Sequence, residues 1–126
     1  MILLDTHAVI FWLSDDRRLS RRARNEIRAA DEVLLSSVSG WEIATKHRIG
    51  KLHLRGWLPE DLPTLLEKSR IDVLAVSLPH AIQAGTIGGG HRDPFDRLLI
   101  AQSQVEDLPI VSADPVFEQY GVEVIW

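Results

Sequence analysis

Five short apolar runs recur along the chain: "MILLD" (1–5), "EVLLSS" (32–37), "DVLAVS" (72–77), "PIVSAD" (109–114) and "VEVIW" (122–126). They are rich in Val, Ile and Leu and lack the alternation of a strand with one wet face, so they read as strands buried on both sides. Between them lie segments of helical period: "THAVIFWLS", "LSRRARNEIRAAD", "SGWEIATKHRIGKL", "PEDLPTLLEKS", "LPHAIQAG" and "PFDRLLIAQSQVED". Strands that alternate with helices predict an α/β fold in which helices cover both faces of a parallel sheet. At 126 residues the chain has room for one domain, 1–126,.

Composition narrows the chemistry. There is no cysteine, which excludes disulfides and thiolate metal sites, so any metal must be held by oxygen or imidazole,. No apolar run approaches the roughly 20 residues that cross a bilayer, and "MILLD" lacks the basic region of a secretory signal, which predicts a cytoplasmic protein. The formal charge of −4 argues against a polyanionic partner. Its distribution leaves room for one, because Arg17, Arg18, Arg21, Arg22, Arg24 and Arg28 crowd one segment and Lys46, His47, Arg48, Lys51, His53 and Arg55 another, although such runs read first as solvated helix faces,. The glycines at 88–90 mark a flexible loop, but one without the Lys-Ser/Thr ending or the preceding strand of a phosphate loop,.

Four acidic residues stand out, three of which a parallel sheet would bring to one rim by topology alone. Asp5 closes the first strand, Glu42 follows the second, Asp96 sits in the first turn of the helix opening at "DPFD", and Asp114 follows the fourth. Carboxyl ends of parallel strands share one rim. Each acid has a structural reading as well: Asp5, Asp93 before Pro94 and Asp114 before Pro115 suit N-caps, and Ser39 with Glu42 fits a capping box. Capping explains each residue singly but not their convergence. Clustered carboxylates repel, and a hard cation such as Mg²⁺ or Mn²⁺ relieves that repulsion, activates water and offsets charge on a phosphate.

The helical wheel separates Asp93 from Asp96. Asp96 lies one turn before Ile100 beside Leu99, on the sheet-facing side, and tilts toward the rim. Asp93 occupies the cap position, with Arg97 one turn on as an ion-pair partner.

The stretches "LLDTHAVIFWL", "SSVSGWEIATKHRIGKL", "HRDPFDRLLIAQ" and "PIVSADPVFEQYGVEVIW" resemble the PIN-domain ribonucleases, specifically the VapC-type toxins of toxin–antitoxin pairs. The similarity runs through the whole chain and is weakest over 53–72. It implies a three-layer α/β/α fold with about five parallel strands, homodimers, and Mg²⁺- or Mn²⁺-dependent endonuclease cleavage of RNA. Carried over by position, it makes Asp5, Glu42, Asp96 and Asp114 the acidic set, with Asp5, Asp96 and Asp114 on the metal; beside them Asp93, the cap of the same helix as Asp96, is a candidate supporting residue. Thr6 and Ser112 match the small hydroxyl positions beside the first and last acids and are candidate substrate contacts. It also implies a cognate antitoxin whose tail covers the site. Lys46, Arg48, Arg21 and Arg22 are candidate phosphate contacts. Trp12 reads as core or as an exposed anchor for the partner, and His7 and His91 as substrate contacts or polar surface.

Two other readings compete. A haloacid-dehalogenase-type phosphatase also begins with an Asp after strand one, but needs a second acid two residues later, where this chain has His7. A degenerate PIN domain acting only as a binding module is the other, and four retained acids weigh against it.

Overall fold

A computed structural model describes every residue, Met1–Trp126. Five strands, β1 (Ile2–Leu4), β2 (Val33–Ser36), β3 (Ile71–Leu74), β4 (Ile110–Val111) and β5 (Val124–Ile125), form one sheet in the order β3-β2-β1-β4-β5. Every pairing is parallel. Seven helices surround it: α1 (Thr6–Leu13), α2 (Arg21–Ala29), α3 (Ser37–Arg48), α4 (Leu62–Lys68), α5 (Leu78–Thr86), α6 (Pro94–Glu106) and α7 (Val116–Gln119). The α/β class and the parallel five-stranded sheet are therefore as expected.

Successive side chains of a strand point to opposite faces, and β1 shows what that does here. Ile2 and Leu4 enter one apolar core with Val9, Ile27 and Leu66, while Leu3 enters a second with Leu99, Ile100 and Phe117. Helices on each side seal both cores, giving three layers. On α2 the stripe Leu19, Ala23 and Ile27 is buried against the first core. Trp12 is half-buried and packs on the same core.

Four local expectations need correction. Strand β3 is not buried on both sides: it pairs only with β2, and Asp72 and Val73 are exposed, because it is an edge. Helix α3 starts before the expected capping box. Ser36 is its N-cap, its hydroxyl accepting from the Val38 N–H at 3.1 Å, which leaves Ser39 and Glu42 inside the helix and buried. At Asp114-Pro115 the N-cap is Pro115, and Asp114 Oδ1 instead accepts from the Val116 N–H at 3.0 Å. That turn leads into α7, a single-turn helix that no periodicity announced.

Arg97 departs furthest from expectation, for it makes no ion pair with Asp93. Its guanidinium donates to three carbonyls: Ala84 at 2.8 Å, Ile87 at 2.6 Å and His91 at 2.8 Å. A planar five-donor fork can satisfy separated acceptors that a carboxylate partner would leave orphaned at the end of α5. Arg97 thereby ties the glycine loop to α6. Gly89 packs against Tyr120 with φ +91°, where an added Cβ would lie 2.5 Å from the Tyr120 hydroxyl. Only glycine fits that close approach without displacement.

Candidate active site

The strand order reverses at β1. From β1 the chain moves outward to β2 and β3, then crosses back to place β4 on the other side of β1. Open parallel sheets form a crevice at the carboxyl ends of the strands at such a point. Asp5 directly follows β1, and Asp114 lies just beyond β4. The crevice is an open cleft of about 480 Å³, lined by Asp5, Thr6, His7, Phe11, Glu42, Lys46, Asp93, Asp96, Leu99, Ala113, Asp114 and Trp126. All four expected acids and Asp93 are on its walls.

Local structure fixes each of them. Asp5 is buried and caps α1, its Oδ1 accepting from the Ala8 N–H at 2.7 Å. Glu42 is buried on α3, where the Thr6 hydroxyl donates to Oε1 at 2.6 Å and the Lys46 ammonium to Oε2 at 2.5 Å. Asp93 caps α6, with Oδ1 accepting from the N–H groups of Phe95 at 2.9 Å and Asp96 at 3.0 Å. Asp96, one turn in, points into the cleft, and His91 Nε2 lies 2.9 Å from its Oδ2. Asp114 is exposed at the mouth.

Thr6 and Ser112 are buried and turned toward the acids rather than toward open space. Ser39 Oγ lies 3.0 Å from the Thr6 hydroxyl. Ser112 Oγ accepts from the Asp114 N–H at 3.0 Å, and its side chain hydrogen-bonds Asp5. These hydroxyls hold carboxylates in place. Of the four basic candidates only Lys46 lines the cleft. Arg21 shares a separate hollow with Arg17, Arg24 and Arg28, and Arg22 and Arg48 are exposed elsewhere. On α2 the inward stripe is Ala23 and Ile27, which turns the neighbouring arginines away from the sheet,.

The electrostatics follow from burial and crowding. Desolvation is the largest cause pushing the Asp5 carboxyl up to about 6, with the Asp96 charge adding to it; hydrogen bonds from Ser112 and Ala8 and the charge of His7 work against it. Asp96 is also raised, first by burial and then by the charges of Asp93 and Asp114, against the hydrogen bond from His91. At Lys46 burial works against the ammonium, but its hydrogen bond and charge pairing with Glu42, together with Asp93 and Asp96, raise its pKa overall. Five carboxylates thus share the cleft, with Lys46 the one ammonium on its walls.

Because the Asp5 pKa rises from about 3.8 to about 6 on folding, the folded state keeps a proton that the unfolded chain has released. This group's contribution is fully favourable below about pH 4 and is lost as pH rises through 6, a loss of about 3 kcal/mol at 1.36 kcal/mol per pKa unit,. Asn is neutral at every pH and still caps a helix. Asp5→Asn should therefore match the wild type near pH 4 and melt several degrees higher at pH 8 without divalent metal. Equal melting temperatures at pH 8 in thermal denaturation would contradict the burial argument.

No three of these side chains already converge to enclose an ion. They line facing walls of an open cleft, an all-oxygen donor set with mutually destabilised carboxylates. Mg²⁺ and Mn²⁺ keep several waters and need only a few protein carboxylates, so the donor set fits them.

Reading the sequence missed several neighbours of the acids. On one wall the rings of Phe11 and Trp126 meet tilted, with centroids 6.5 Å apart, and Phe11 also packs tilted against His7 at 6.0 Å. No local pattern marked Phe11 and Trp126, because only the fold brings them to the acids.

A family model described as PIN domain matches residues 2–123. Ribonuclease VapC22 from Mycobacterium tuberculosis is 28% identical over 120 residues, spanning 90% of this chain and 86% of that protein. The DNA-bound VapBC structure from Salmonella typhimurium superposes with a TM-score of 0.69 at 21% identity, covering 98% of this chain and 97% of that one. A toxin–antitoxin complex from Klebsiella pneumoniae does so with a TM-score of 0.62 at 16% identity, covering 90% and 87%.

Proposed function

The chain belongs to the PIN domain family, and from that membership we propose that it is a metal-dependent endoribonuclease, the toxin of a toxin–antitoxin pair. The observation that carries this is the one cleft that Asp5, Glu42, Asp96 and Asp114 line at the point where the strand order reverses. We read residues 1–126 as one domain. The ribonuclease name of the Mycobacterium tuberculosis relative and the toxin–antitoxin description of the Klebsiella pneumoniae structure point the same way.

In this reading Asp5, Asp96 and Asp114 hold Mg²⁺ or Mn²⁺, with Asp93 supporting Asp96 through the turn it caps. Such an ion, when bound, lowers the pKa of a coordinated water and offsets charge on the phosphodiester. Glu42, its two oxygens fixed by Thr6 and Lys46, orients the attacking water. Lys46 gives the entering phosphate its one cation on the cleft wall. His91 steadies Asp96 through its Nε2 contact.

The partners implied are an RNA substrate, a cognate antitoxin that covers the cleft, and a second copy of the chain. No helix is long and apolar enough to cross a membrane, and the reading sets this chemistry in the cytoplasm.

Incubating the purified protein with total cellular RNA and mapping new 5′ ends tests the proposal. Discrete cleavage should appear with Mg²⁺ or Mn²⁺ and vanish with EDTA. Cleavage that persists in EDTA would remove the metal from the mechanism, and no cleavage with any divalent ion would favour a binding module.

A further inference from the structure

We propose that Trp41 and Phe95 form a stacking subsite that holds one unpaired base of single-stranded RNA beside the phosphate being cut. This rests on the reading of the cleft as an RNA-cleaving site.

Trp41 is 57% exposed, the most open of the chain's four tryptophans. Its ring meets Phe95 edge to face, with centroids 4.9 Å apart and planes at 71°. Each ring directly precedes a cleft acid, Trp41 before Glu42 on α3 and Phe95 before Asp96 on α6. Neighbouring residues on a helix stand about 100° apart, so a side chain next to an inward acid flanks the cleft. Lys46 joins the pair to the cleft, since its Nζ lies 5.9 Å from the Phe95 ring centroid and it also lines the acidic walls.

An indole held by one neighbour and open to water elsewhere is a preordered platform, which loses little freedom when a base stacks on it. Every base has a π-face, so the subsite tolerates sequence but requires an unpaired base. The adjacent ammonium complements the phosphate of that nucleotide. A base on Trp41 with its phosphate at Lys46 places the backbone against Glu42 and Asp96, the two acids that follow the two rings.

The test measures cleavage of a single-stranded oligoribonucleotide spanning a site mapped in total RNA, and of the same strand annealed into a duplex, by wild type, Trp41→Ala and Trp41→Phe. Losing one base stack predicts a KM for the single strand raised roughly 5- to 100-fold in Trp41→Ala. kcat should stay within a few-fold, the preference over duplex should shrink, and Trp41→Phe should recover most of the loss. An unchanged KM and strand preference in Trp41→Ala overturns the proposal alone, as does an unchanged KM with a dimer that falls apart in sedimentation, which would make Trp41 a contact between copies. No cleavage by the wild type removes the reading beneath it, and the proposal with it.

Discussion

Asp96→Asn is expected to lower metal-dependent RNA cleavage by more than about 100-fold, since losing even a partner of a metal ligand costs roughly 10- to 100-fold. Stability should not fall with it. Burial and the charges of Asp93 and Asp114 already disfavour the Asp96 carboxylate, and Asn removes that charge at nearly constant volume. Asp93→Asn is the matched control. Asn caps almost as well as Asp, so the turn held through the Phe95 and Asp96 N–H groups survives and activity should stay within several-fold of wild type,. Cleavage assays with mapped substrate, alongside thermal melts of both variants, decide the matter. If Asp93→Asn proves the more damaging to cleavage, the two roles are reversed.

Arg97→Ala should produce the largest loss of stability, about 2–4 kcal/mol. The guanidinium is the shared donor for the carbonyls of Ala84, Ile87 and His91. Hydrogen bonds to charged groups contribute about 1.5–3 kcal/mol each, and three that share one side chain do not add in full. Arg97→Lys should recover only part, because a point ammonium lacks the fork that spans three acceptors. Amide exchange over residues 87–93 should rise in Arg97→Ala, and cleavage should fall, since that loop carries His91 to Asp96. A melting temperature within a degree of wild type would show that the three carbonyls find water at no cost.

Much of this architecture was legible because its signals are local. The apolar runs mark strands whatever their neighbours, and an acid after a strand in a parallel sheet falls on one rim whichever order the strands take. Asp96 was separable from Asp93 because the wheel and the Pro94 cap act within one turn. What stayed hidden depends on order and on distant partners. Nothing in "IDVL" says that β3 has no outer neighbour and leaves Val73 in water. Ser39 and Glu42 match a capping box at the right spacing, yet Thr6, over thirty residues away, engages both side chains. Arg97 stands four residues from an aspartate, an ion-pair spacing, and was drawn instead to carbonyls that only the folded loop presents.

The order β3-β2-β1-β4-β5 also has a temporal meaning. The central strand is the first made, but its partner β4 and the acid at 114 come near the end of the chain. A chain still being synthesised carries Asp5 and Glu42 for most of that time without the far side of the cleft. Until β4 docks beside β1, nothing brings Asp114 to the other acids. The cleft of a protein read as harmful to RNA is thus complete only once β4 has been made and has docked beside β1, by the route its chain takes through the sheet.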